Sequence, residues 1–153
     1  MLLIFEAASN HNGTAFVEIY QNCIVYNDDV FSSFTEKSSA PNRQIHLEHG
    51  KPMLFGTDNS KGLKLSSDNS KLELVDLNIN KKEENKILIH DKNNKTIAYL
   101  LAQMNENTMP IALGVLYSIN KPTLDTYYTD RINEHKNEIS DIMEKGQTWT
   151  VQE

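Results

Sequence analysis

Residues 13–31 read GTAFVEIYQNCIVYNDDVF and carry the clearest structural signal in the chain. Within them, residues 14–20 are rich in β-branched and aromatic side chains, which is typical of a strand covered on both faces. The polar residues that follow predict a loop, and this loop holds the single cysteine of the chain, Cys23. Because ligands gather at the carboxyl ends of strands in open α/β sheets, Cys23 is a candidate functional residue.

The composition indicates one domain with a strongly solvated surface. The chain has 153 residues, of which 39% are apolar, and a formal net charge of −6. This charge argues against a nucleic-acid partner, since such domains usually display a basic patch. A single cysteine excludes an internal disulfide and fits a reducing compartment. The apolar run at residues 1–5 is too short for a membrane span. We therefore expect a cytoplasmic protein with no membrane partner.

The predicted elements describe an α/β fold built as a single domain over residues 1–153. Residues 1–43 are predicted to form a helix, the buried strand and a loop. Residues 44–77 alternate short apolar runs with turn residues, which predicts a small antiparallel β excursion grafted on the domain. Residues 87–153 are predicted to form a helix, a strand, a further helix and a tail.

The last part contains the second predicted buried strand, at residues 111–117. It follows a helix over residues 96–104, whose apolar residues recur at spacings of three and four. A last long helix begins near Pro122, which suits the first turn, and an extended tail holds Trp149 and Val151. Two buried strands resemble the closing part of a parallel sheet, but they are too few to complete one.

The beginning of the chain is open to two interpretations. The apolar helix predicted over residues 1–11 has no residue before it that could cap its first turn. Either the natural domain begins upstream and supplies the missing strands, or Met1 is a true start whose first helical turn is frayed.

The residues around Cys23 leave its role open. A buried free cysteine is usually a small apolar residue of the core. A nucleophilic cysteine needs a neighbouring base, and no spacing ties a histidine to Cys23. With no second cysteine, the chain alone offers no thiolate cluster for a metal.

A histidine pair, His46 and His49, is the second candidate site. The two residues would lie on one face of a helix and could chelate a metal there. Gly50 and Pro52 make a helix unfavourable, and on a strand the two side chains point to opposite faces. The pattern favours a pair of surface histidines beside a turn.

Four stretches resemble the β subunit of 2-oxoacid:ferredoxin oxidoreductases, in particular the branch that acts on 2-oxoglutarate. They are GTAFVEIYQNC at 13–23 with YND at 26–28, LEHGKPMLFG at 47–56, PIALGVL at 110–116 and KPTLD at 121–125. They occur in the same order over nearly the whole chain. The resemblance implies a partial thiamine diphosphate-binding fold and the C-terminal part of that subunit.

The resemblance also implies an activity, cofactors and partners. The enzyme family decarboxylates a 2-oxoacid oxidatively to an acyl-CoA and passes the electrons to ferredoxin. The implied partners are the α subunit, the N-terminal region of the β subunit, ferredoxin and coenzyme A. The complete subunit holds thiamine diphosphate, Mg²⁺ and a [4Fe–4S] cluster. Its Gly-Asp-Gly-Asp motif for phosphate and Mg²⁺ is absent here. We therefore expect no cofactor to bind this chain alone, and no catalysis by it alone.

For Cys23 the resemblance implies the role of one cluster ligand. The other three ligands in the family come from the N-terminal region of the subunit. A [4Fe–4S] cluster takes four thiolates, so Cys23 cannot hold it alone. The alternative class is a non-catalytic module, derived from that subunit, that serves only in assembly.

Overall fold

The computed structural model describes residues 1–105, 107–134 and 139–147. The tail predicted at Trp149 and Val151 lies outside these residues. The described part is a mixed α/β structure with one parallel and one antiparallel sheet, as the sequence predicts. Within the same ranges, no helix combines the length and the apolar character needed to cross a bilayer.

The chain divides into two compact units, residues 1–11 with 15–119, and residues 12–14 with 120–153. The first unit holds every strand that the structure describes. These are β1 (Gln44–Leu47), β2 (Leu54–Phe55), β3 (Lys61–Leu65), β4 (Leu72–Asp76) and β5 (Ile111–Gly114). Its α-helices are α1 (Leu2–Ser9), α2 (Ser32–Thr35), α3 (Ala40–Arg43) and α4 (Lys95–Ala102), with 3-10 turns at Thr57–Asn59 and Lys81–Lys86.

The parallel sheet pairs β1 with β5, from Gln44 beside Ile111 to Leu47 beside Gly114. The prediction of a strand beginning at Ile111 is confirmed. The partner strand differs from the prediction, because residues 44–47 were assigned to the antiparallel excursion. Alternation of buried and exposed residues in β1 suits either sheet, so the pattern alone could not choose its partner.

Residues 14–20 form no strand, and the prediction of a buried strand there is wrong. Their backbone is irregular, and Phe16 is 89% exposed. A strand is stable only when neighbours satisfy its backbone N–H and C=O groups. The described residues place no strand beside this segment, so its strong β propensity goes unused.

The antiparallel sheet has the strand order β2-β3-β4, which confirms the small β excursion within residues 54–76. Gly62 of β3 allows another segment to come close to the sheet. A Cβ atom built at Gly62 would lie 2.6 Å from Cδ1 of Ile87 and 3.1 Å from Cδ2 of Leu54. The residue after the 3-10 turn at Lys81–Lys86 therefore packs where β3 has no side chain.

One hydrophobic core joins both sheets and α4 within the larger unit. Its buried members are Ile45, Leu47, Met53, Phe55, Leu63, Leu72, Leu100 and Leu101. Helix α4 confirms the helix predicted over residues 96–104. Asn94 caps it, since the side-chain Oδ1 accepts hydrogen bonds from the backbone N–H groups of Thr96 and Ile97 at 3.0 and 3.2 Å.

The smaller unit contains α5 (Leu124–Glu134) and α6 (Ile139–Lys145). Helix α5 confirms the start predicted near Pro122. Before it, the Oγ1 atom of Thr123 accepts a hydrogen bond from the backbone N–H of Thr126 at 3.3 Å. Two tyrosines of α5, Tyr127 and Tyr128, pack edge to face with ring centroids 5.7 Å apart.

Candidate functional site

Cys23 lies at the start of a short, closed loop. The backbone N–H of Asn27 donates to the carbonyl of Cys23 at 2.8 Å, and these two residues form an isolated antiparallel bridge. The loop thus turns back on itself within residues 23–27. Because its ends are joined, the loop holds the cysteine on a defined turn.

The thiol of Cys23 is exposed, so the interpretation of a buried core cysteine is wrong. The backbone amides of Tyr26 and then Val25 stabilise the thiolate, and together they hold the pKa of the Cys23 thiol below its ordinary value. An accessible thiol that ionises easily is suited to act as a metal ligand, because the thiolate is the form that binds metal.

The side chains around the sulfur are apolar and lie in solvent. Ile24 and Val25 are exposed, and Tyr26 is 90% exposed. Exposed apolar groups that cluster on a surface commonly mark a site for a partner. The loop therefore presents a reactive thiol within an uncovered apolar surface.

An aromatic cluster anchors the loop to the larger unit. The ring of Tyr20, just before the loop, packs edge to face against Phe31 at 5.2 Å and against Phe34 at 5.4 Å. Phe34 is buried, and it is the one buried residue of helix α2. Both ends of residues 20–31 thus meet at one packed point, while the middle of the segment projects into solvent.

His46 and His49 do not form a metal site. His46 is exposed on β1. Nδ1 of His49 lies 3.6 Å from a carboxylate oxygen of Asp91 and accepts a hydrogen bond from the backbone N–H of Lys92. Across the described ranges, no three His, Cys, Asp or Glu residues come together as a group that could hold a metal ion.

His90 is the polar residue that the sequence analysis missed. It is 1% exposed, and its Nε2 atom lies 2.9 Å from the carbonyl oxygen of Val115, the residue after β5. Its backbone N–H donates to the carbonyl of Lys51, and its carbonyl accepts from the N–H of Gly50. His90 therefore ties together the segments that leave the carboxyl ends of β1 and β5.

One nitrogen of this ring is left over. With Nε2–H donating to Val115, the Nδ1 atom of His90 is buried and has no hydrogen-bond partner. The sequence carried a signal for this burial, since the apolar run ILI at residues 87–89 leads directly into His90. A histidine that continues an apolar run commonly enters the core with that run.

The residues fit one of the implied cofactors and not the other. For a [4Fe–4S] cluster, Cys23 offers one accessible thiolate with backbone amides beside its sulfur, and such amides are among the features that tune cluster potential. For thiamine diphosphate with Mg²⁺, the part of the chain that the structure describes assembles no group of acidic oxygens. The chain thus fits the cluster as a single ligand and does not fit the diphosphate and its metal.

Comparison with known proteins gives one informative likeness. The chain is 26% identical over 159 aligned positions to the 2-oxoglutarate oxidoreductase subunit KorB of Mycobacterium tuberculosis. The alignment covers 97% of this chain and 41% of that protein, so the chain spans less than half the length of its relative. No protein-family model matches the chain, and no solved structure matches it. The resemblance read from the sequence is thus confirmed: over nearly its whole length, the chain is similar to a subunit of a 2-oxoglutarate oxidoreductase.

Proposed function

We propose that the chain is a component of a 2-oxoacid:ferredoxin oxidoreductase, with 2-oxoglutarate as the 2-oxoacid. The complete enzyme converts the 2-oxoacid and coenzyme A to acyl-CoA, carbon dioxide, a proton and two electrons, which ferredoxin accepts. One observation carries the proposal: the likeness to the KorB subunit extends over 97% of the chain. The one-cysteine composition fits a cytoplasmic enzyme.

Within this enzyme we assign Cys23 as one ligand of a [4Fe–4S] cluster. The exposed sulfur and its lowered thiol pKa support this role, because a cluster ligand must be reachable and deprotonated. The apolar side chains of Ile24, Val25 and Tyr26 would then surround the cluster once a partner covers them. Limiting solvent around a cluster is one of the ways in which a protein sets its potential.

The remaining parts of the enzyme come from partners. Three further thiolates, and the site for thiamine diphosphate and Mg²⁺, belong to the N-terminal region of the β subunit, and the α subunit completes the complex. Thiamine diphosphate supplies the electron sink for decarboxylation when it is bound there. What this chain contributes is one thiolate, held on the closed loop at residues 23–27.

The purified chain alone is therefore expected to be inactive. Isothermal titration calorimetry with thiamine diphosphate and Mg²⁺ should give no binding heat. When the chain is co-expressed with the α subunit and the N-terminal β region, the complex should reduce ferredoxin in a reaction that needs both 2-oxoglutarate and coenzyme A. Tight binding of the diphosphate by the isolated chain, or a complex without this activity, would refute the proposal.

A second candidate is a module that serves only in assembly. It is favoured by the described part of the chain, where no cluster of titratable or metal-ligating side chains occurs. The two candidates differ in what Cys23→Ser does to the assembled complex. A cluster ligand predicts weaker cluster absorbance or a shifted potential, with the complex still formed. An assembly module predicts a complex of unchanged spectrum and activity.

A further inference from the structure

Residues 15–20 combine the sequence of a strand with a backbone that nothing pairs. Val17, Ile19 and Tyr20 belong to the residue types enriched in strands, as does Phe16. Yet the backbone groups of residues 15–19 form no hydrogen bond with any other residue that the structure describes. A segment of this kind is a ready template for pairing with another chain.

The side chains of the segment are uncovered as well. Phe16 and Ile19 are exposed, at 89% and 49% of their surfaces, and Val17 is only half-buried. In a strand, Phe16 and Val17 would point to opposite faces, so apolar side chains would be presented on both sides. Strands with two apolar faces lie inside sheets that are covered on both sides. The segment thus fits the interior of a larger sheet.

The carboxyl end of the segment is fixed in place. Tyr20 packs against Phe31 and Phe34, and Phe34 is buried. Residues 15–20 therefore leave an anchored point, which limits the entropy that is lost when they become ordered on a partner.

Charge narrows the choice of partner. Residues 12–30 carry Glu18, Asp28 and Asp29 but no lysine or arginine, and the whole chain has a formal charge of −6. A second copy would bring like charges together, and an anionic membrane or a nucleic acid would be repelled in the same way. A protein surface that is apolar at its centre and bears lysine or arginine at its rim is complementary.

We propose that residues 15–20 become a strand by adding to the free sheet edge of a protein partner whose rim is basic. Main-chain hydrogen bonds supply part of the affinity in this mode of recognition, and the alternating side chains supply the specificity. The identity of the partner, a subunit of the 2-oxoacid oxidoreductase, rests on the proposed function. The pairing itself rests on the unpaired backbone, the exposed apolar side chains and the acidic rim.

Hydrogen exchange read by mass spectrometry tests the pairing on the full chain, alone and in complex with the co-expressed α subunit and N-terminal β region. In the free monomer, amides 15–19 should exchange as fast as those of an unstructured peptide. In the complex they should exchange at least about tenfold more slowly, as hydrogen-bonded strand amides do.

Val17→Pro is the matching perturbation, with Val17→Thr as its control. Proline removes the N–H of residue 17, which has no partner in the free chain, so the circular dichroism and urea midpoint of the free chain should not change. Association should weaken by about tenfold or more, since a lost ladder bond at a buried strand is worth roughly 1.4 kcal/mol or more. Threonine keeps the N–H and the β-branched shape and should associate like the wild type.

The outcomes separate the pairing from the proposed function. An active complex with unprotected amides 15–19, or one that Val17→Pro leaves equally tight, overturns the pairing alone. Wild-type chain that forms no complex overturns both proposals. A free chain that is a homodimer with these amides protected shows that a second copy is the occupant, which also overturns the pairing as proposed.

Discussion

Replacing His90 tests whether this buried ring holds the ends of the parallel strands together. In His90→Ala, the carbonyl of Val115 loses the donor that lies 2.9 Å away, and the ring leaves a cavity in a site that is 1% exposed. An unsatisfied carbonyl costs about 1–3 kcal/mol. A cavity left by a large side chain costs about 2–5 kcal/mol.

One effect acts in the opposite direction. The Nδ1 atom of His90 is buried without a partner, and its removal returns about 1–3 kcal/mol. Taken together, these effects predict a net loss of about 2–4 kcal/mol in the free energy of unfolding. With a urea m-value of about 1–3 kcal/mol per molar, the midpoint should fall by roughly 1–2 M.

Equilibrium urea unfolding of the full chain, followed by circular dichroism, measures this shift. His90→Gln retains a donor that can reach Val115, and its loss should be less than half that of His90→Ala. His46→Ala removes an exposed histidine from β1 and should change stability by no more than about 0.5 kcal/mol. If His90→Ala unfolds at the same midpoint as His46→Ala, the ring does not tie the strands together. Equal losses for the Gln and Ala variants would show that the hydrogen bond to Val115 contributes nothing.

Three further substitutions or treatments test other parts of the structure. The hydroxyls of Ser66 and Ser70 lower the pKa of Asp68 from 3.8 to about 2, so Asp68 contributes stability above about pH 4 that is lost as the pH falls toward 2. Asp68→Ala should therefore lower the urea midpoint at pH 6, with the difference closing near pH 2; a difference that stays constant with pH would contradict this. The exposed Cys23 thiol should be alkylated by iodoacetamide faster in the native chain than in urea, because the amides that lower its pKa are positioned only in the folded loop; equal rates would argue against that positioning. Gly62→Ala should cost about 1–3 kcal/mol by overpacking against Ile87, and adding Ile87→Ala should recover part of the loss in urea unfolding, whereas simple additivity would show that the two residues do not clash.

Local patterns predicted those elements that close on themselves. Helix α4 follows from its apolar spacing and was found where expected, between Asn94 and Gln103. The antiparallel strands follow from alternation between turn residues that are near in sequence, so each strand has its partner close by. In these cases the information needed to form the element lies within a short window of the chain.

Patterns could not supply what depends on distant partners. The segment at 14–20 has the composition of a buried strand, but composition states only what the side chains favour, not whether a neighbouring strand is present. β1 pairs with β5, which lies more than sixty residues later, and its four residues carry no mark of that choice. The position of Cys23 was foreseen at a loop, but its exposure follows from the failure of the strand before it to pair.

The assignment of Cys23 is tested most directly by the iron content and reduced-state EPR spectrum of the co-expressed complex, purified without oxygen. Ile24→Ser, in the same loop, is the matched control. The account predicts that Cys23→Ala lowers bound iron and removes or alters the signal of one [4Fe–4S] cluster, while Ile24→Ser retains both. A Cys23→Ala complex with the wild-type iron content and an unchanged spectrum would contradict it.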